Sequence, residues 1–426
     1  MIALLLACSG PPTPTGRPPE GPTHTSSPDT PSDQVVPTSG APLCAPGVAA
    51  RIRAADYPTL SAATAASQPG DTISICPGRW HDVMEFTHDG PITIESLSGN
   101  PGDTMIDGEG TLRHIDMVGT APKVLIRGIT FTRAMHYRWA ASLRVWGSNA
   151  GEAGIENCIF TAQHQSTSLV LLLALDHITI RNTIFQDNLA ALGPHGPNAW
   201  LSHLEAQDSI LIEDTHYIDN SSQPLFAAFA GNETAPASLT LRGVLVRGTR
   251  LVGGGSTVTL MSTGEGPYPR TVLIEDSTFM DNASDVAGQY ILEGNDAALR
   301  IHVDTSPNLI DIRRTLFLAN QGAGGSALHL GPWYARGATH DLILTDVSFH
   351  RGARLPYLSA EVATPAVFAH SEIPLHVTFE RVDFGTGPTS NPFPQIDGCD
   401  DAITGVLDGR VLDLVDHPDR RCPWLP

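Results

Sequence analysis

His203, Glu205 and His329 carry the side chains best suited to moving a proton near neutral pH, and they form the candidate catalytic set. An imidazole gives or takes a proton close to pH 7. A carboxylate two residues further along a strand points to the same side as the imidazole. Arg144 and Glu293 add one charge of each sign, and Trp146, Trp200, Trp333 and Tyr334 add flat aromatic faces that can stack on sugar rings. These six are the candidate ligand-binding residues. The alternative is a solvated outer strand face with tryptophans packed under loops. His164, His177 and His216 read as structural, and no spacing matches a zinc site, so no metal is expected.

A repeated phrase has to position these residues. Its clearest copy is Ile178-Thr-Ile-Arg-Asn-Thr-Ile-Phe-Gln-Asp-Asn188. An aliphatic anchor is followed five places later by an aromatic or aliphatic residue: Ile126 and Phe131, Ile155 and Phe160, Ile180 and Phe185, Ile212 and Tyr217, Leu241 and Val246, Ile274 and Phe279, Ile312 and Phe317, Leu344 and Phe349, Phe379 and Phe384. Two places after each anchor stands Gly128, Asn157, Asn182, Asp214, Gly243, Asp276, Arg314, Asp346 or Arg381. Most of these types tolerate positive φ, which a tight bend between short strands needs. A strand–bend–strand unit returning every 25–38 residues, roughly, marks a solenoid. A second element follows in each unit, as in Ser142–Trp146, Leu169–Leu173, Thr257–Leu260, Tyr290–Leu292 and Ala327–Leu330. Alternate residues of that strand face out, which puts Arg144, His203, Glu205, Glu293 and His329 along one face. Acid pairs such as Glu213-Asp214 and Glu275-Asp276 fall at the bend. The phenylalanines should stack inside.

The ends differ in composition. Residues 1–8 end in Leu5-Leu6-Ala7-Cys8, the pattern of a bacterial lipoprotein signal in which the cysteine is lipidated. Residues 9–43 are rich in Pro, Thr, Ser and Gly and read as a disordered tether. The solenoid is expected over 44–390 and an irregular C-terminal cap over 391–426. Cys44 with Cys76, and Cys399 with Cys422, are expected to form disulfides in an oxidising compartment, while Cys158 reads as a buried apolar residue. The expected location is the bacterial envelope, with the lipid as the membrane contact. A formal charge of −20 argues against a nucleic-acid partner.

Tyr57–Gly78 combines a short helix, Leu60 to Ala66, with Pro69-Gly-Asp-Thr72 and Pro77-Gly78, and Asp107-Gly108 follows. This resembles the N-terminal cap and first coils of the right-handed parallel β-helix, or pectin-lyase-like, superfamily. The resemblance spans roughly residues 50–390 and implies an all-β solenoid of about 10–11 coils with an N-terminal capping helix. It also implies two chemistries. One class eliminates across uronates with Ca²⁺ held by aspartates, and another hydrolyses glycosides with paired aspartates. Asp176-His177 is similar to a lyase run but lacks the preceding Trp-Ile. Arg354-Leu-Pro356 begins a second lyase run, but Ser359 stands where its second arginine belongs. No catalytic role is carried over to these positions.

Three function classes follow: a lipid-anchored module binding carbohydrate or another surface partner along the solenoid face, a polysaccharide lyase or glycoside hydrolase with degenerate motifs, and a non-catalytic envelope spacer. No cofactor is expected except Ca²⁺ in the lyase case. Capped ends leave no open sheet edge, so a monomer is expected.

Overall fold

The structure is a computed structural model. It describes residues 44–135, 140–148, 150–165, 168–190, 200–231, 236–252, 256–263, 268–285, 298–303, 306–322, 327–332, 338–350, 353–354, 367–369, 375–383, 396–397, 403–407 and 410–413. All of them lie in the compact unit Val36–Pro426. Cys8, Cys399, Cys422, Glu293, Trp333, Tyr334 and Phe384 lie outside the described residues.

The chain winds as a right-handed parallel β-helix. Three stacks of parallel strands form its walls. The first runs from Thr72–Ile75 to Ile403–Leu407 and holds the aliphatic anchors. The second is a ten-stranded sheet of three- and four-residue strands, from Gly78–Trp80 to Ser348–His350. Ten rungs match the expected ten or eleven coils. The third runs from Met84–Phe86 through Ala140–Trp146 and Leu299–Val303 to Ile396–Asp397. In Ser168–Arg181 and Trp200–Glu213 the third-sheet strand continues unbroken into a first-sheet strand. The helix Leu60–Ala66 packs Leu60, Ala63 and Thr64 against the first coils. Its Thr59 hydroxyl accepts from the Ala62 N–H, which satisfies a backbone donor at the helix start. A disulfide joins Cys44 to Cys76 beside this cap.

The bend residues explain the regular turn. Asn157, Asn182, Asp214, Asp276, Arg314, Asp346 and Arg381 all have φ between 47° and 54°, and Gly128 and Gly243 have 70° and 62°. The two arginines stay there by clamping an aspartate one coil back: Arg314 donates to Asp276 at 2.6 and 2.8 Å, Arg381 to Asp346 at 2.5 and 2.8 Å. Just before the bend, register stacks Glu95, Arg127, Glu156, Arg181, Glu213, Arg242, Glu275 and Arg313 in alternating sign. Glu213 and Glu275 are thus held by Arg242 at 3.1 and 2.6 Å.

Inside, the aromatic rings stack. Phe131, Phe160, Phe185 and Tyr217 follow one another with centroids 4.7–5.0 Å apart, and Phe279, Phe317 and Phe349 repeat this at 5.0 Å. Val246 interrupts the column. A second internal column is polar. Gln163, Asn188, Asn220, Asn282 and Asn320 each sit three places after the core ring, and all are buried. The Asn220 carboxamide accepts from Asn188 N (3.1 Å) and Nδ2 (3.0 Å) and donates to Phe185 O at 2.9 Å. Asn320 serves Asn282 and Phe279 in the same way. These amides satisfy backbone groups at the second bend that no strand pairing reaches. Cys158 is buried in a slot where other coils hold Thr183, Thr215, Ser277 and Thr315. Burial pushes its thiol up to about 12, so it stays protonated.

Candidate functional site

The outward side chains of the third sheet form rows set by register. One row runs Glu85, Asp116, Arg144, Leu171, His203, Phe226, Thr259, Arg300 and His329. Arg144, His203 and His329 therefore share a face, as their strand positions predict. They are not neighbours. At roughly 4.8 Å per rung, Arg144 stands about 10 Å from His203, and His329 about 19 Å beyond it. In the coil where the sequence suggested Tyr290–Leu292, the third-sheet strand is Leu299–Val303, and Arg300 takes the row position.

His203 and Glu205 do meet. Nε2 of His203 lies 2.9 Å from Oε1 of Glu205. The imidazole side chain is 16% exposed and the carboxylate 45%. Trp200 heads the same strand, with its ring centre 4.7 Å from that of His203 and 5.0 Å from that of Phe226. Phe226 meets His203 edge to face at 4.9 Å. Trp200 Nε1 donates to Gln223 Oε1 at 2.8 Å, and Gln223 Nε2 donates to Thr259 Oγ1 at 2.7 Å. Three coils thus fix one patch, in which a tryptophan and a phenylalanine pack against an imidazole whose carboxylate partner is exposed.

Toward the N-terminal coils the patch abuts a small apolar cluster, where half-buried Trp146 packs on buried Ala140, Leu171 and Leu173. Beyond it Arg144 donates to Asp116 at 2.7 and 2.6 Å, and Arg113 also pairs with Asp116. Arg144 is therefore tied into a wall of the face rather than standing as a free cation. On the other side Glu205, Ala228, Met261 and His302 form a second row, in which Ala228, Met261 and His302 are all buried, as is His329 in the first row. Among the described residues no three His, Cys, Asp or Glu side chains converge as a metal ion would need.

Gln223, Phe226 and Thr259 escaped sequence reasoning. Pro224-Leu-Phe-Ala-Ala-Phe229 is a continuous apolar run without the alternation that tells an outward Phe226 from an inward one. Asp116 and Arg113 escaped for a different reason. Asp116 sits on Ile115–Val118, a strand without the bend signature that marks the first sheet, and Arg113 stands just before it.

The fold and this patch define the class: a parallel β-helix bearing an outward aromatic, histidine and carboxylate cluster. No protein-family pattern matches the chain, and no curated protein does. Among solved structures it is similar to the catalytic unit of the thermostable GH87 α-1,3-glucanase from Streptomyces thermodiastaticus strain HF3-3, with 15% identity, a TM-score of 0.44, 80% of this chain covered and 64% of that one. It is also similar to pectate lyase Pel9A, with 13% identity, a TM-score of 0.34 and coverage of 78% and 76%. The chain thus spans less than two thirds of the glucanase unit.

Proposed function

We propose that this protein is a carbohydrate-binding β-helix of the bacterial cell envelope, which receives a polysaccharide along the outer face of its third sheet. The observation that carries this reading is the Trp200, His203, Glu205 and Phe226 cluster, with two aromatic rings about 5 Å apart beside a hydrogen-bonding pair. A sugar ring offers an apolar face for Trp200 and hydroxyls for Glu205. Half-buried Trp146, packed on buried Leu171 and Leu173, offers the face one further ring. Affinity electrophoresis through gels loaded with neutral or acidic polysaccharides tests this. At least one polysaccharide should retard the protein, and Trp200→Ala should weaken retention about tenfold. Equal mobility of both proteins in every gel would sink the reading.

The 2.9 Å contact between His203 and Glu205 favours one second reading, a lyase or hydrolase in which Glu205 orients His203 as a base. The same polysaccharides, incubated with and without Ca²⁺ and followed at 235 nm and by reducing ends, separate it from binding alone. Product that disappears in His203→Ala would make the site catalytic.

The envelope location rests on Leu5-Leu6-Ala7-Cys8 and on the Cys44–Cys76 disulfide, a bond kept in oxidising compartments. Cys8→Ser should move the protein from the membrane fraction to the soluble fraction. A variant that stays with the membrane would remove the lipid anchor from the proposal.

A further inference from the structure

A cleft of about 500 Å³ opens at the first bend rather than on the third sheet. One side of it is Leu97, Ser98 and Gly99, the start of a loop that hydrogen bonds brace. Asn157 Nδ2 donates to Gly99 O at 3.0 Å, Thr130 Oγ1 donates to Pro101 O at 2.7 Å, and Ser96 shares hydrogen bonds with Ser98 and Thr104 at 2.9 and 2.8 Å. The space beside it depends on Gly128. A Cβ there would lie 3.1 Å from Gly99 O, so any side chain would crowd that side.

The floor is where the alternating charge column leaves hydrogen-bonding capacity unused. Elsewhere in that column the acids are held tightly, as Glu95 is by Arg127 at 2.5 and 2.8 Å and Glu275 by Arg242 at 2.6 Å. Glu156 is different. Its nearest cation is Arg181 at 3.9 Å, and Arg181 lies nearer to Glu213, with Nε 3.1 Å from it but no hydrogen bond. Beside them the Asn182 carboxamide makes no hydrogen bond among the described residues. A carboxylate, a carboxamide and a guanidinium thus face one preformed space. Glu95 and Glu156 balance Arg127 and Arg181, so the cleft favours a neutral ligand over an ion. Carboxylate and carboxamide together accept from and donate to adjacent hydroxyls, the pattern a polyol presents. The volume falls in the range that encloses a small molecule.

We propose that this cleft is a second saccharide site, which takes a single neutral hexose residue. It is independent of the outer-face patch. Saturation-transfer NMR with the methyl glycosides of glucose, mannose and galactose tests it on the full chain. Wild type and Trp200→Ala should both transfer saturation to at least one of the three. The double variant Glu156→Gln, Asn182→Gly should bind that glycoside about tenfold more weakly. Glycine keeps the positive φ of 48° that position 182 needs, and Gly128 and Gly243 already hold the same place in two other coils, so the variant should fold. Thermal unfolding confirms that. Absence of transfer from all three glycosides overturns the proposal, and so does unchanged binding in the folded double variant. Loss of transfer in Trp200→Ala alone would also overturn it, because binding would then belong to the outer face.

Discussion

Asn220→Ala should lower folding stability by about 3–5 kcal/mol, although position 220 touches neither candidate site. The side chain is fully buried in the polar column. Truncation removes an acceptor from Asn188 N and Nδ2 and a donor from Phe185 O. All three partners lie inside the coil stack, away from bulk solvent. A buried polar group left without a partner costs about 1–3 kcal/mol. The cavity left by the carboxamide adds to this. Asn220→Asp separates the parts of the effect. It keeps the acceptor, loses the donor to Phe185 O and buries a charge, so it should destabilise at least as much as alanine does. Urea unfolding reads both variants as a shift of midpoint at unchanged slope. A shift worth less than about 1 kcal/mol for alanine would show that the column fills space without holding the coils together.

Stability should fall by about 3 kcal/mol as pH drops from 7 to 4, and His114 should account for most of the fall. This imidazole is fully buried against Phe131, with ring centres 5.4 Å apart. Nε2 lies 3.1 Å from Thr132 O, which can only accept, so Nε2 carries the proton, and Nδ1 accepts from the Ser142 hydroxyl at 2.7 Å. Burial pushes its pKa down to about 4, against the smaller opposing effects of Thr132 O and the Asp107 charge. The folded state therefore holds His114 neutral, while the unfolded chain protonates it near pH 6.5. Its contribution is complete above pH 6.5 and is lost as pH falls toward 4. Asp107 acts lower down. Burial alone would raise its carboxyl, but hydrogen bonds from Arg133, Glu109 N and Arg79 hold it at about 2, so its loss lies below pH 4. Thermal midpoints measured at intervals from pH 7 to 4 should decline more steeply in wild type than in His114→Gln, in which paired carboxylates such as Glu275 and Glu152 still lose stability near pH 4. Parallel declines in the two proteins would assign the acid sensitivity elsewhere.

The bends were legible because each rests on a local rule. A residue able to hold positive φ must stand two places after a core aliphatic, and Asn157, Asn182, Asp214 and Asp276 do so in plain view. The ring column was legible for the same reason, since Phe131, Phe160, Phe185 and Tyr217 keep a constant offset from their anchors. The amide column obeys an equally strict offset, three places after each ring. It went unread because asparagine and glutamine are expected at solvent, and only the stacked coils show that Gln163, Asn188, Asn220, Asn282 and Asn320 face inward.

The sequence by itself determined the coil, because its strands, bends and buried rings depend on residues within a dozen positions of one another. Tertiary structure decided the sites, because their members come from different coils joined by segments of unequal length. Register alone sets Phe226 and Gln223 beside Trp200 and His203, ties Arg144 to Asp116, and leaves Glu156 loosely held while Glu95 and Glu275 are clamped. No spacing along the chain encodes that register. It is fixed when each coil lays its apolar residues on those of the coil before, and the outward side chains follow where the inward ones lead.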